Sequence, residues 1–273
     1  MFKTNRFRLS VSFAPRNNVL VMQRGYEEHY HSVEADHWWF VARRRVVRDL
    51  VLRRGPDRST RVLELGCSAG LLMQRLLLDG YKTVRGIDIS ADAINRCRAA
   101  GLDAQVMDAQ KLTFPDESFD LLTASDVLEH LPDEAAALRE WRRILKPGGV
   151  LIVFVPAFMF LWTEHDVVNN HCRRYTRATL VRPLAAAGFH IERSSYWNTA
   201  LFPAVAIVRV LKRCFGQQKV ADAANVTGDM FALPAPLNRA LLGLLQVENR
   251  FLKWGVNWPF GVSVMAVAKK TGN

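Results

Sequence analysis

The stretch Arg61–Leu72, RVLELGCSAGLL, determines the expected fold. Its first half is a short apolar run, Val62–Leu65, which is typical of a buried strand, and its second half begins a helix that ends before Gly80. Gly66 and Gly70 border the turn between them, where glycine permits backbone curvature and lets a helix N-terminus approach a ligand closely. The turn therefore predicts a ligand site, although dinucleotide enzymes use similar turns.

A regular alternation of strands and helices follows this turn. We expect further strands at 83–87, 104–107, 119–124 and 150–155, with helices at 91–100 and 134–145 between them. Strands that alternate with helices of about ten residues form a parallel sheet covered on both faces. A helix at 179–187 and strands at 189–196 and 263–268 complete the pattern. The sequence thus predicts an α/β fold, a Rossmann-like, mostly parallel sheet of seven strands with helices on both faces.

Five segments are expected along the chain: a flexible N-terminal arm (1–21), an N-terminal helical cap (22–60), the Rossmann-like core (61–198), a helical insertion (199–260) and a last strand that completes the core (261–273). The insertion precedes the last strand, where a tight hairpin would suffice. It contains an apolar helix at 200–214, a polar linker at 217–229 and an amphipathic helix at 237–254. We interpret it as a cover for the substrate or as a surface for a membrane or a partner.

The composition is that of an ordinary globular protein, with 49% hydrophobic and 23% charged residues. The four cysteines are widely spaced and form no C-x-x-C pair, which argues against a disulfide framework and a zinc cage. The N-terminus lacks the apolar core of a signal peptide, and no apolar stretch reaches the ~20 residues that span a bilayer. We therefore expect a cytoplasmic protein, with peripheral contact at the inner membrane face as an alternative.

The net charge of +11 is unevenly distributed. Residues 61–156 hold 11 Lys and Arg against 14 Asp and Glu, whereas residues 1–60 hold 12 against 6 and residues 157–273 hold 14 against 6. Basic flanks can contact nucleic acid, anionic lipid or a phosphorylated substrate. They can equally be solvated helix faces, so charge alone does not choose a partner.

Polar residues stand where successive strands end. Asp88 ends the second strand, where a carboxylate can accept both hydroxyls of a ribose. Asp108 follows the third strand and can accept from an exocyclic amine such as that of adenine. The fourth strand ends in Ser125–His130, SDVLEH. A nicotinamide-dependent oxidoreductase has no use for the last two features, and the turn lacks the G-x-G-x-x-G spacing of that class.

Over residues 37–198 this ordered set strongly resembles class I methyltransferases that depend on S-adenosylmethionine (SAM). The resemblance implies SAM as cofactor, held by the turn, two strand-end carboxylates, a backbone group and a serine: Glu64, Gly66, Gly70, Asp88, Asp108, Ala109 and Ser125. The sequence departs from the family pattern at the middle glycine of the turn, which is Ser68 here. Because small residues are tolerated there, we expect only a modest perturbation.

The run His37–Arg45, HWWFVARRR, resembles a methyltransferase subgroup that carries H-W-W-F-x-x-R-R at this position. The subgroup is of largely unassigned substrate and is associated with glycan, lipid or secondary-metabolite pathways. Aromatic residues followed by arginines at helical spacing can cap a cofactor site, so we predict that Arg43 pairs with the SAM carboxylate. The alternative is a packing helix with a solvated basic face.

The segment 156–175 follows the fifth strand at the edge where open α/β sheets bind ligands. We predict that His171, Arg174 and Tyr175 contact the acceptor, and that His130 or His165 is the catalytic base. The alternative is a structured loop whose polar groups bind backbone. His165 and His171, even with the carboxylate between them, lack a fourth ligand and a helical spacing, so no metal site is predicted.

The sequence therefore predicts an enzyme that aligns an acceptor in line with the S–CH3 bond of SAM. The expected acceptor is a small molecule or is glycan- or lipid-linked. RNA or protein methylation by way of the basic flanks remains an alternative, but the sequence holds no recognisable RNA-binding module and no N-P-P-Y-type motif. A noncatalytic SAM-binding subunit is a further alternative. The oligomeric state is not predicted.

Overall fold

A computed structural model describes residues 24–215 and 233–272 of the chain. Its centre is a single seven-stranded sheet in the order β3-β2-β1-β4-β5-β7-β6. The first five strands are parallel, and β7 runs antiparallel to both of its neighbours. The predicted fold class is confirmed. The strands are β1 (Arg61–Leu65), β2 (Thr83–Asp88), β3 (Asp103–Val106), β4 (Phe119–Ser125), β5 (Leu145–Pro156), β6 (Phe189–Trp197) and β7 (Ser263–Lys270).

The helices fall close to their predicted positions, and the differences have local causes. α7 begins at Arg177 rather than at 179, because the side chain of Thr176 caps it by accepting from the backbone N–H of Thr179. The predicted arm (1–21) and the predicted linker (217–229) lie outside the described residues. The helices are α1 (Arg24–Val33), α2 (Trp38–Arg54), α3 (Leu71–Leu78), α4 (Ala91–Ala99), α5 (Glu134–Ile144), α6 (Glu164–Val168), α7 (Arg177–Ala186), α8 (Phe202–Phe215) and α9 (Ala235–Lys253).

Apolar cores lie on both faces of the sheet. On one face, Trp141 of α5 is fully buried and donates from Nε1 to the backbone oxygen of Ala109 at 2.9 Å. This hydrogen bond satisfies the only polar atom of a large buried side chain and fixes the loop that follows β3. The core thereby positions Asp108 and Ala109 at the carboxyl edge of the sheet.

The insertion packs against the N-terminal cap. Asn249 of α9 is buried, accepts from Nε1 of Trp197 at 2.8 Å, and donates to the backbone oxygen of Ala42 in α2 at 3.0 Å. One amide therefore joins α9, β6 and α2. Among residues 24–215 and 233–272, no helix combines the length and the apolar composition needed to cross a membrane.

Candidate active site

The turn between β1 and α3 adopts the backbone that its glycines predict. Gly66 and Gly70 have φ values of 68° and 76°, in the left-handed region that favours glycine. A Cβ atom on Gly66 would lie 2.5 Å from Cγ2 of Val127, and one on Gly70 would overlap the side chain of Leu102. The backbone N–H of Ser68 donates to Oδ2 of Asp88 at 3.0 Å. The turn is therefore a tight cradle tied to the end of β2.

Ser68, at the position where the family pattern has glycine, links this cradle to the N-terminal cap. Its hydroxyl donates to Oε2 of Glu34 at 2.9 Å and lies 3.4 Å from Nδ1 of His31. His31 in turn pairs with Oε1 of Glu34 at 3.0 Å. Sequence reasoning missed Glu34, because no local pattern indicates that a residue 34 positions upstream folds over the turn.

Glu64 carries a buried carboxylate oxygen without a hydrogen-bond partner among the described residues, as is typical of a residue that binds a cationic ligand. It lies at the cradle in β1, and the oxygen concerned is Oε2. Burial raises the pKa of Glu64 well above its ordinary value, and the nearby Cys97 and Glu34 act in the same direction. A buried unpaired carboxylate is costly unless a ligand satisfies it. Contact between Glu64 and the cofactor stays a prediction that this unpaired carboxylate accommodates.

The remaining cofactor residues also meet at the carboxyl edge. Asp108 accepts from the backbone N–H of Gln110 at 2.8 Å, and Ala109 follows it with its backbone held by the α5 tryptophan. Ser125 ends β4 and donates to Oδ2 of Asp126 at 3.0 Å. Asp108, Ala109 and Ser125 thus follow or end strands at the same edge of the sheet, and their contact with a cofactor stays a prediction.

Arg43 of α2 reaches the same edge from the cap. Its guanidinium carbon lies 4.8, 4.5 and 4.3 Å from the ring centroids of Trp39, Phe154 and Trp197, and its Nη1 lies 3.5 Å from Oδ2 of Asp126. Burial lowers the pKa of Arg43, against the attraction of nearby carboxylates. The buried Nε and Nη1 atoms have no hydrogen-bond partner among the described residues. Pairing with the SAM carboxylate stays a prediction that this geometry accommodates.

Three histidines converge beyond the end of β4. The rings of His130 and His171 meet edge to face with centroids 4.6 Å apart, and the His165 ring lies 6.2 Å from that of His171. Burial, reinforced by the neighbouring His171, lowers the pKa of His130 to about 3. His130 is therefore neutral at neutral pH, and its low basicity makes it a weak proton acceptor.

A buried carboxylate organises the loop that carries two of these histidines. Asp166 accepts a hydrogen bond from Nδ1 of His171 at 2.8 Å. It also forms a bidentate ion pair with Arg174, with Nε–Oδ1 and Nη2–Oδ2 distances of 2.7 and 3.0 Å. Burial by itself would raise the pKa of Asp166, but these partners hold it below its ordinary value. Sequence reasoning counted Asp166 among the polar residues of the acceptor segment and weighed it as a metal ligand, whereas the structure makes it the centre of this hydrogen-bond network.

Arg174 and Tyr175, predicted to contact the acceptor, are both buried. The Tyr175 hydroxyl donates to Oε2 of Glu134 at 2.8 Å, and Arg174 also donates from Nη1 to the backbone oxygen of Ala157 at 3.1 Å. The structure therefore gives each of them intramolecular partners. Their contact with an acceptor stays a prediction.

Two surface depressions lie apart from this chemistry. One of about 440 Å³ is lined by residues 110–113 with Ala136, Arg139 and Glu140. The other, of about 420 Å³, lies around Arg142 and Lys270. Neither contains a predicted site residue, so the convergent polar groups at the sheet edge identify the site better than the shape of the surface does.

Comparisons with known proteins agree with this geometry. The family model described as a methyltransferase domain matches residues 63–153, which include the cradle, Asp88, Asp108 and Ser125–His130. Residues 63–153 therefore match a methyltransferase domain. A probable S-adenosylmethionine-dependent methyltransferase of Mycolicibacterium smegmatis is 32% identical over 161 residues, which cover 58% of this chain and 61% of that protein.

Two further similarities bear on this methyltransferase domain. The ubiquinone biosynthesis O-methyltransferase of Xanthomonas oryzae pv. oryzae is 31% identical over 44% of this chain and 56% of its own. The chain thus spans only about 60% of the length of these two curated relatives. The structure of the [4+2]-cyclase SpnF matches with a TM-score of 0.54 and 24% identity over 83% of this chain and 81% of that one. That likeness shows the fold alone.

Proposed function

We propose that this chain transfers the methyl group of SAM to a hydroxyl of an apolar acceptor, either a small molecule or a glycan- or lipid-linked one. The observation that supports this most is the position of the histidine cluster (His130, His165 and His171). His130 follows the end of β4 and contacts the backbone of Asp126, at the sheet edge that carries the residues predicted to bind the cofactor. An acceptor placed between cradle and cluster would face both a methyl donor and polar groups that can orient its hydroxyl.

In this proposal the protein mainly binds and aligns. SAM, when bound, supplies an electrophilic methyl group on a good leaving group. Glu64 would satisfy its positive charge, Asp88 would accept the ribose hydroxyls, and Asp108 with the Ala109 backbone would hold the adenine. The cap, through Glu34 and Arg43, would exclude water from the methionine part. The resemblance of residues 37–45 to the H-W-W-F-x-x-R-R subgroup supports this role for the cap.

An apolar acceptor is supported by an aromatic cluster beside the histidines. Phe158 stacks on Tyr196 at a centroid distance of 5.1 Å and contacts Phe160 and Phe202 at 5.3 and 5.6 Å. The backbone N–H of Phe158 donates to the backbone oxygen of Tyr175, so this cluster adjoins the histidine loop. Phe160 is exposed and Phe158 and Phe202 are partly exposed, and aromatic side chains that line a concave site bind apolar groups. The relative named as a ubiquinone biosynthesis O-methyltransferase is consistent with such an acceptor.

We also propose that helix α8 contacts a membrane surface that carries the acceptor. Its residues Ile207, Val208, Val210 and Leu211 are 60, 51, 43 and 49% exposed, in the basic part of the chain. An apolar face beside positive charge favours the surface of an anionic bilayer. We expect the protein to float with vesicles that contain phosphatidylglycerol and the Ile207→Glu variant to float much less. Equal flotation of the two proteins, or none of either, would remove this part of the proposal.

The decisive test of the function is transfer of a labelled methyl group from SAM into a cell extract fractionated into lipid, small-molecule, RNA and protein pools. We expect label in the lipid or small-molecule pool, and none when the Asp88→Ala variant is used. Label in RNA or protein would favour the alternative that uses the basic flanks. Binding of SAM without transfer into any pool would favour a noncatalytic SAM-binding subunit.

A further inference from the structure

Glu129 is the least satisfied charged side chain in the vicinity of the proposed acceptor site. It follows β4 in a 3-10 turn (Leu128–His130), its residue is fully buried, and neither carboxylate oxygen has a hydrogen-bond partner among the described residues. A carboxylate taken out of water without a partner costs several kcal/mol. A bound ligand that supplies the missing partner accounts for such a group in a folded protein.

Two imidazoles lie beside this carboxylate. Each of the three residues offers one ligand atom, and these atoms all lie within 4.8 Å of one another: Glu129, His130 and His171. The His130 ring also hydrogen-bonds to the backbone of Asn169 and of Asp126. A neutral ring donates only one hydrogen, so its second nitrogen keeps a lone pair.

His171 is oriented in the manner of a metal-bound histidine. Its Nδ1 is hydrogen-bonded to Asp166, which is itself buried and held by Arg174. A carboxylate that accepts from one ring nitrogen fixes the tautomer and leaves the other nitrogen as a ligand. The second nitrogen, Nε2, is then the atom available to the cluster.

We propose that Glu129, His130 and His171 bind a divalent transition-metal cation such as Zn²⁺, at the place where the acceptor hydroxyl is bound. Two histidines and one carboxylate are a common ligand set for such ions and leave a coordination position open. Bonds of about 2.0–2.2 Å place tetrahedral ligand atoms about 3.4 Å apart. The three atoms therefore need to approach each other by at most about 1.4 Å when the cation binds.

The role of the cation rests on the proposed function. An acceptor hydroxyl bound at the open position becomes more acidic and loses its proton to solvent. The resulting oxygen forms the C–O bond as the S–CH3 bond breaks, and S-adenosylhomocysteine leaves. This assignment differs from the sequence-based expectation of no metal, since the spacing of 165, 166 and 171 gave no sign of Glu129 and His130, which lie about forty residues upstream.

The test measures metal binding without reference to turnover. Full-length protein is stripped with a chelator, and Zn²⁺ is titrated calorimetrically, with Co²⁺ absorption spectra to report the ligands. We expect one site in the native sequence and affinity reduced at least about tenfold in Glu129→Gln and in His171→Ala. The control His190→Ala removes an exposed histidine of β6 and should bind as the native protein does.

The melting temperature gives a second test. If Glu129 had only a structural role, Zn²⁺ would change the melting temperatures of the native protein and of Glu129→Gln alike. Zn²⁺ should raise the melting temperature of the native protein and leave that of Glu129→Gln unchanged, because a ligand stabilises only the state that binds it. No stoichiometric binding, or equal binding by native protein and both variants, would overturn the proposal. Metal binding without methyl transfer would overturn the proposed function and leave the metal site standing.

Discussion

Replacing Asp88 with alanine is expected to raise the dissociation constant for SAM at least about 100-fold while the protein stays folded. Each carboxylate oxygen of Asp88 already accepts one backbone N–H, from Ser90 at 2.9 Å and from Ser68 at 3.0 Å. A carboxylate has about four acceptor sites, so accepting these two N–H groups is compatible with accepting ribose hydroxyls as well. Hydrogen bonds to a charged group contribute about 1.5–3 kcal/mol each, and 1.4 kcal/mol corresponds to a factor of ten. Calorimetric titration with SAM measures the change.

The matched control for this variant is Asp103→Ala. Asp103 begins β3 on the neighbouring strand, and its half-exposed side chain pairs with Arg85 at 2.6 Å. Because Asp103 begins β3, at the edge opposite the carboxyl ends of the strands, this variant should change SAM affinity less than about twofold. Exposed ion pairs contribute at most about 1 kcal/mol, so the variant should also stay folded. If Asp88→Ala bound SAM as the native protein does, with both variants folded by circular dichroism, the assignment of Asp88 to the ribose would be wrong.

The fold and the cofactor edge could be predicted because their signals are local. The apolar run of β1, the glycines of the turn and Asp88 at the end of β2 each follow from a few neighbouring residues and a strand period. Parallel strands place their carboxyl ends at one edge, so successive strand-end residues must meet there. The predicted order of strands and helices was therefore sufficient to place the residues predicted to bind the cofactor at one edge of the sheet.

The cap and the histidine cluster could not be assembled in this way. The Glu34–Ser68 hydrogen bond joins residues that are 34 positions apart in the sequence. Arg43 donates a hydrogen bond to Ser263, which lies 220 positions downstream. Local periodicity carries no information about such pairs. His130 and His171 were each identified from the sequence, but their contact depends on how the loop after β5 returns to the end of β4. Long-range packing, not residue type, decides which polar groups share a site.

Arg174 shows what this difference implies for an individual residue. Its sequence context, beside His171 and Tyr175 after a strand end, predicts contact with the acceptor. In the structure its guanidinium is almost fully buried and spans both oxygens of Asp166. Buried ion pairs are strongly destabilised when one partner is removed, because the remaining charge stays buried without compensation. Asp166 also holds His171, so the whole loop depends on this pair.

Arg174→Ala is therefore expected to lower the free energy of unfolding by about 3–5 kcal/mol, measured by denaturant titration. The adjacent Arg173→Ala is the matched control, because Arg173 is partly exposed and pairs with Glu134 at 3.1 Å. A partly exposed pair predicts a loss of less than about 1 kcal/mol there. Arg174→Lys should fall between the two, since an ammonium keeps the charge and loses the bidentate geometry. A loss below 1 kcal/mol in Arg174→Ala, accompanied by weaker acceptor binding, would show instead that this arginine acts on the acceptor, as its position in the sequence predicts.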